Sequence, residues 1–201
     1  VTDAKRVLDV AVATPVLVVT APVQAAVAVA VAARLGRPVL FRQQRPGRHG
    51  RPFTILKFRT MVPIDAAAGR VEDASRMTGL GRFLRATSLD ELPTLLNVIR
   101  GDMSLVGPRP LLTAYLPRYS AAQARRHEVR PGLTGLAQVS GRNAVGWDER
   151  LALDVEYVDT RTMWLDLAIL IRTVRAVLRR DGISAEGEAT MPEFLGSRRA
   201  A

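Results

Sequence analysis

Asp90 and Glu91 stand side by side, with Arg85 a short step before them and Arg109 after them in a stiff Pro108-Arg109-Pro110 unit. Carboxylates and guanidiniums that converge on one spot suit phosphate chemistry with a divalent metal. A plainer reading gives the two acids a capping role alone. Leu92, Leu95, Leu96 and Ile99 recur at i, i+3, i+4 and i+7, one face of a short helix. Asp90 is then its N-cap, Pro93 falls in the first turn, and Gly101 ends it as the C′ residue. On this reading both acids sit at the positive end of a helix dipole, where anions are stabilised.

The segments around this pair divide into three. Residues 1–36 are dominated by an apolar run, Val7 to Ala33, interrupted by Pro15 and Pro22. At helical rise roughly 27 residues reach about 40 Å, enough to cross a bilayer. Both flanks are basic, Lys5 and Arg6 before and Arg34, Arg37, Arg42 and Arg45 after. Positive residues favour the cytoplasmic side, so a helix that enters, bends near Pro22 and leaves by the same face satisfies both flanks. Thr20 is placed to satisfy a carbonyl freed at the break. A single span fits the run about as well, and a buried core helix less well.

Residues 37–180 follow as one domain. Val39 to Arg59 reads as a β-hairpin around a Pro- and Gly-rich turn, with Lys57 and Arg59 on one face of its second strand. Residues 63–75 are small and polar, a surface loop. Tyr115 and Tyr119 are spaced for packing. Residues 130–143 carry closely spaced glycines that let backbone N–H groups approach a ligand, and Arg142 adds a guanidinium fork. Glu149 to Arg180 is helical, with Trp164 and Leu167 in an apolar band followed by arginines, the pattern of a helix in a membrane interface or of a core helix with a basic end. Residues 181–201 read as a loose tail.

The chain has 201 residues, no cysteine, two histidines and a formal net charge of +10. Disulfides and thiolate catalysis are excluded, and a zinc site is not indicated. The charge favours anionic partners. Aromatic residues make up 5%, which argues against a platform for stacked bases.

The motifs together resemble the bacterial sugar transferases, the monotopic polyprenyl-phosphate phosphoglycosyl transferases. The resemblance rests on Lys5-Arg6-x-x-Asp9, Gln43-x-Arg45-x-Gly47-x-x-Gly50-x-x-Phe53, Lys57-Phe-Arg-Thr-Met61, Leu89-Asp-Glu-Leu-Pro93, Gly101-Asp-Met-Ser104, Gly107-Pro-Arg-Pro110 and Pro131-Gly-Leu-Thr-Gly135-x-Ala-Gln138-Val-x-Gly-Arg142, in the family's order. Thr94, Arg130 and Leu136 depart from the usual pattern and bear on substrate detail. The resemblance implies an α+β, mostly helical fold: a re-entrant membrane helix broken at Pro22, a small β-hairpin, and amphipathic interfacial helices around an active site at the cytoplasmic face of the cell membrane. It implies transfer of a sugar phosphate from a nucleoside diphosphate sugar, a UDP-sugar, to polyprenyl (undecaprenyl) phosphate, with release of UMP. Asp90 is then the nucleophile and Arg85 meets the phosphate. Mg²⁺ is the expected cofactor, held by Glu91 and Asp90, with Asp102 a weaker candidate. Substrate contacts are expected from Arg109, Lys57, Arg59, Gln138 and Arg142, and membrane contacts from Lys5, Arg6, Pro22 and Trp164. The expected partners are the two substrates and a lipid bilayer, without nucleic acid; self-association is left open. An aspartate needs no base at neutral pH, because its reference pKa lies near 4. The competing reading, a non-catalytic basic protein on membranes or nucleic acid, accounts for the charge but gives the Asp-Glu pair no purpose.

Overall fold

The computed structural model describes residues 2–140, 146–179 and 193–196. The apolar run folds as two helices, α1 (Thr2–Val19) and α2 (Ala21–Leu35), joined at Thr20 and bent by 61°. Pro22 has no N–H to give to a preceding turn and sits in the first turn of α2, where none is needed, whereas Pro15 lies inside α1 without ending it. The break therefore falls two residues earlier than expected. Thr20 Oγ1 donates to Val16 O at 2.6 Å, and Gln24 Nε2 donates to Thr20 Oγ1 at 3.0 Å, which supplies the polar partners that a broken helix needs. No single helix among the described residues is long and apolar enough to cross a membrane, whereas the bent pair together has the length and composition. Val16, Val18, Val19 and Val23 are exposed around the bend.

Polar contacts dock α1 on the rest of the chain. The buried Asp9 carboxylate accepts from Ser104 Oγ at 3.0 Å and from Leu105 N at 2.9 Å. Arg6 donates to the carbonyls of Val98 and Ile99, and Lys5 pairs with Asp166 at 2.5 Å. Lys5 and Arg6, expected as membrane contacts, thus make these bonds to the protein itself.

The hairpin forms as expected. β1 (Leu40–Pro46) pairs antiparallel with β2 (Pro52–Phe58), with Phe41 opposite Lys57 and Gln43 opposite Ile55. Two short helices follow, α3 (Asp73–Arg76) and α4 (Gly79–Ala86). The chain then turns sharply at Ser88, which adopts a left-handed φ of 56°. A 3-10 turn over Leu89–Thr94 leads into α5 (Leu95–Arg100). Asp90 is therefore inside a 3-10 turn and is not the N-cap of the helix; the α-helical bonds begin five residues later. Gly101 closes α5 with φ 92°, as its position suggested.

This segment is bolted to the hairpin. Fully buried Asn97 donates to Thr54 O at 2.8 Å and accepts from Leu56 N at 3.1 Å, and Thr94 Oγ1 donates to Leu56 O at 2.7 Å. Leu95 and Val98 pack on Phe53, Ile55, Ala13 and Met103 in the main core.

β3 (Ser104–Val106) and β4 (Gly132–Thr134) form a parallel pair, with α6 (Ala121–Ala124) between them in the chain. Two of the glycines expected to admit a ligand, Gly132 and Gly135, admit backbone instead; Gly141 lies outside the described residues. A Cβ on Gly132 would lie 2.1 Å from Gly107 N, and one on Gly135 would lie 2.2 Å from Gly107 O. They let β4 close against the Pro-Arg-Pro loop.

Helices α7 (Leu136–Ser140), α8 (Trp147–Thr160) and α9 (Met163–Arg179) complete the chain. Trp164 on α9 is 81% exposed, and Leu167, Ile171 and Val174 continue its exposed apolar stripe. Within the stretch read as a loose tail, Phe194 is 2% exposed and packs with Leu111, Tyr115 and Leu151. The whole is mostly helical with a small antiparallel hairpin, the α+β class expected.

Candidate active site

Three backbone features bring Asp90, Glu91, Arg85, Lys57 and Arg109 together. The 3-10 turn holds both acids beside β2, because Thr94 and Asn97 are hydrogen-bonded to that strand. Gly81 lets α4 touch the end of β2: a Cβ there would stand 1.9 Å from Thr60 O. Arg85, one turn further along α4, can therefore donate from Nε to Thr60 Oγ1 at 3.2 Å. The third feature is the anchoring of the Pro-Arg-Pro loop. Arg126, fully buried, donates from Nη2 to Arg109 O at 2.7 Å and grips Asp154 through Nε and Nη2 at 3.0 and 2.6 Å.

Glu91 Oε1 accepts from Lys57 Nζ at 2.5 Å and from Arg109 Nη2 at 2.8 Å. Burial alone would raise its pKa, but the two cations outweigh burial and hold its carboxyl well below the usual carboxylate range. Asp90 responds in the opposite direction. It is 8% exposed, and no hydrogen-bond donor among the described residues is committed to its carboxylate. Burial, with the Glu91 charge added to it, pushes its pKa up to about 6 against the pull of Lys57, Arg85 and Arg109.

The pair opens on a cleft of about 1190 Å³, large for a small-molecule site. Seven basic side chains and four acidic ones line it, a balance that suits an anion. Apolar residues also line it, among them Val16 of α1 and Leu133, Val139, Leu170 and Val177. Gln138 also lines it, and both atoms of its amide are buried without a partner among the described residues.

Not every expected site residue joins the acidic pair. Arg59, one residue past the end of β2, lines the cleft, but its guanidinium is taken up by the carbonyls of Leu35, Gly36 and Arg37 and not by the acidic pair. Unpaired carbonyls at a helix C-terminus attract a cation strongly. Asp102 accepts from Asn97 Nδ2 at 3.1 Å and does not join the pair; no three acidic or histidine side chains converge among the described residues. Arg142 lies outside the described residues. Conversely, the structure adds residues that the sequence reading had not placed at the site. Gln43 and Arg45 of β1 line the cleft, as does Arg150, stacked over the Trp147 ring at 5.6 Å. Strand alternation carried the signal for the first two; nothing in the sequence pairs Arg126 with Asp154.

The donor set fits a hard divalent cation. Asp90 offers a carboxylate with no committed donor, and Glu91 offers the oxygen that Lys57 and Arg109 leave free. Mg²⁺ binds through one or two carboxylates, with water and phosphate oxygens completing the shell.

Comparison with known proteins places these features in context. The family described as bacterial sugar transferase matches residues 2–180. The uncharacterized sugar transferase EpsL of Bacillus subtilis is 50% identical over 194 residues, 96% of each chain. The UDP-glucose:undecaprenyl-phosphate glucose-1-phosphate transferase of Caulobacter vibrioides is 48% identical over 191 residues, 88% of this chain and 70% of that one. The undecaprenyl-phosphate galactose phosphotransferase of Salmonella typhimurium is 42% identical over 196 residues, 89% of this chain but 41% of that longer protein.

Proposed function

The chain belongs to the bacterial sugar transferases, and from that premise we propose that it transfers a sugar phosphate from a UDP-sugar to undecaprenyl phosphate through a covalent adduct on Asp90. The observation that carries this reading is the asymmetry of the acidic pair. Glu91 is neutralised by Lys57 and Arg109, while Asp90 beside it is buried, uncommitted and open to the cleft.

In the first half-reaction an Asp90 carboxylate oxygen attacks the phosphorus that carries the sugar. The bond from that phosphorus to the bridging oxygen breaks, and the electron pair leaves with UMP. In the second, an oxygen of undecaprenyl phosphate attacks the same phosphorus, the Asp90 ester bond breaks, and the carboxylate is restored. Arg85 and Arg109 meet the charge on the transferring phosphoryl group. Lys57 keeps Glu91 from repelling the approach. Mg²⁺, held by Asp90 and Glu91, would supply neutralisation of the diphosphate charge when bound.

The bent helix pair, with its exposed apolar tip, and the apolar stripe of α9 support a re-entrant, monotopic seat on the cytoplasmic face of a membrane. Each arm, at about 1.5 Å per residue, falls short of the ~30 Å hydrocarbon core. The apolar lining of the cleft includes Val16, close to this bend, a route by which a lipid acceptor would meet a soluble donor. The relatives named for exopolysaccharide and undecaprenyl-phosphate chemistry support the same substrates for this chain.

Labelled UMP incubated with UDP-sugar and no acceptor tests the covalent route. Exchange of label into the donor is expected in the native protein and is lost in Asp90→Asn. Exchange that survives Asp90→Asn overturns the assignment.

A further inference from the structure

Alternation along β1 puts Phe41, Gln43 and Arg45 on the cleft side of the hairpin and Arg42 on the other. Arg45 lines the same cleft as the acidic pair and differs from Lys57 and Arg109. Lys57 and Arg109 both pair with Glu91. Arg45 has no carboxylate partner among the described residues: Nη2 donates to Gln43 Oε1 at 2.5 Å, Nη1 reaches Pro110 O at 3.4 Å, and Nε is buried without a partner. Burial first, and then the charge of Arg109, draw its pKa down to about 10. A desolvated cation beside a second cation is costly unless an anion arrives between them.

The chemistry of the proposed reaction says which anion. In-line displacement at phosphorus requires that UMP leave from the side opposite Asp90. The acceptor oxygen must then attack from the side opposite the new Asp90 ester. The departing and attacking groups thus occupy one position in turn. Both are phosphate monoesters, one of a nucleoside and one of a polyprenol.

We propose that Arg45, with Arg109 beside it, forms one phosphate-monoester subsite that serves both half-reactions, first for the departing nucleotide and then for the lipid acceptor. The assignment rests on the covalent reading of Asp90, and its test can fail independently of that reading. Gln43 acts as a positioning residue, since its carbonyl oxygen fixes the guanidinium.

The test is direct binding to the full chain in detergent, with UMP and farnesyl phosphate as probes and uridine and farnesol as phosphate-free controls. In the native protein farnesyl phosphate displaces UMP competitively. Arg45→Gln weakens both monoesters by tenfold or more and by similar factors, and leaves both controls unchanged. Arg45→Lys keeps the charge but loses the fork, so it gives an intermediate loss for both and carries the comparison if Arg45→Gln does not fold. Arg42→Gln, on the outer face of the same strand, changes neither. Simultaneous binding of the two probes, loss of one without the other, or no loss in a folded Arg45 variant each overturns the shared subsite. Absence of UMP exchange in the native protein, with competition and parallel loss intact, overturns the covalent adduct and leaves the subsite standing.

Discussion

Two buried charge clusters meet at Arg109, one closed and one open. Arg126 and Asp154 are 1% and 2% exposed in their side chains. Their contacts lie inside the protein: the ion pair itself, Arg109 O, and Tyr119 OH at 3.3 Å from Arg126 Nη1. Asp90 and Glu91 face the cleft, and their charges are unevenly matched: two cations on Glu91 and, among the described residues, no committed donor on Asp90. The same residue types serve opposite ends. A closed pair fixes backbone; an open one keeps charge available for substrate. Arg109 joins them, with its carbonyl gripped by Arg126 and its guanidinium spent on Glu91.

The comparison breaks most visibly at Asp90. Asp90→Asn removes the nucleophile, and turnover should fall by a factor on the order of 10³ or more. The same substitution should raise stability at neutral pH. The folded pKa, about 6, lies above the unfolded value of 3.8, so ionised Asp90 carries its full cost above the folded pKa; the cost shrinks as pH falls between the two values and is gone below the unfolded one. Melting in detergent at pH 7.5 checks this: a higher midpoint for an inactive protein is expected, and a lower one contradicts an open, uncompensated carboxylate.

The closed pair responds in the other direction. Asp154→Ala strands the Arg126 guanidinium in the interior, where loss of one partner costs about 3–5 kcal/mol. Denaturant titration should show that loss. The folded fraction should keep UMP exchange but show a raised KM for donor, because the carbonyl of Arg109 loses its fixed neighbour. A variant of normal stability would mean that the pair is not closed.

The pH profile has a smaller effect. Protonated Asp90 is not a nucleophile, so kcat/KM should fall about tenfold per unit once pH drops below the Asp90 pKa of about 6. Glu91, held far lower by Lys57 and Arg109, should add no break in that range. A profile flat to pH 4.5 would show that Asp90 is better solvated or more strongly paired than the structure has it.

How far the sequence led follows the same division. Asp90, Glu91, Arg85 and Arg109 were legible because they are close in sequence and their types converge on one chemistry. The hairpin and the bend were legible from alternation, turn residues and prolines. Arg126 and Asp154 were not, because 28 residues separate them and each looks like an ordinary helix-surface charge. Arg59 reaches the cleft, but the carbonyls at the end of α2 that hold its guanidinium lie more than twenty residues away in the chain, so their claim on it was not legible. Gly132 and Gly135 were legible as a need for close approach, but what approaches is the backbone of Gly107, which no local pattern specifies. The helix start at Asp90 failed for a tertiary reason: Ser88 turns the chain through a left-handed conformation to reach β2, and a 3-10 turn takes up the first six residues.

The finest test of the closed cluster is Tyr119→Phe. The ring keeps its packing on Phe194, at 5.7 Å between centroids, and its place under the Arg126 guanidinium. What is lost is a single acceptor for Arg126 Nη1, while Asp154 and Arg109 O keep their bonds. A hydrogen bond to a charged group is worth roughly 1.5–3 kcal/mol; this one is long, at 3.3 Å, and with the rest of the network intact it should count below that range, about 1 kcal/mol. A domain of this size should register that as a fall in melting temperature of about 2–4 °C. Donor KM, acceptor KM and the acid limb of the pH profile should stay unchanged, because Arg109 does not move. If Tyr119→Phe instead shifts donor KM and leaves the melting temperature alone, the Arg126 cluster is coupled to the cleft more directly than through the Arg109 carbonyl, and the boundary between the closed and open clusters has been drawn in the wrong place.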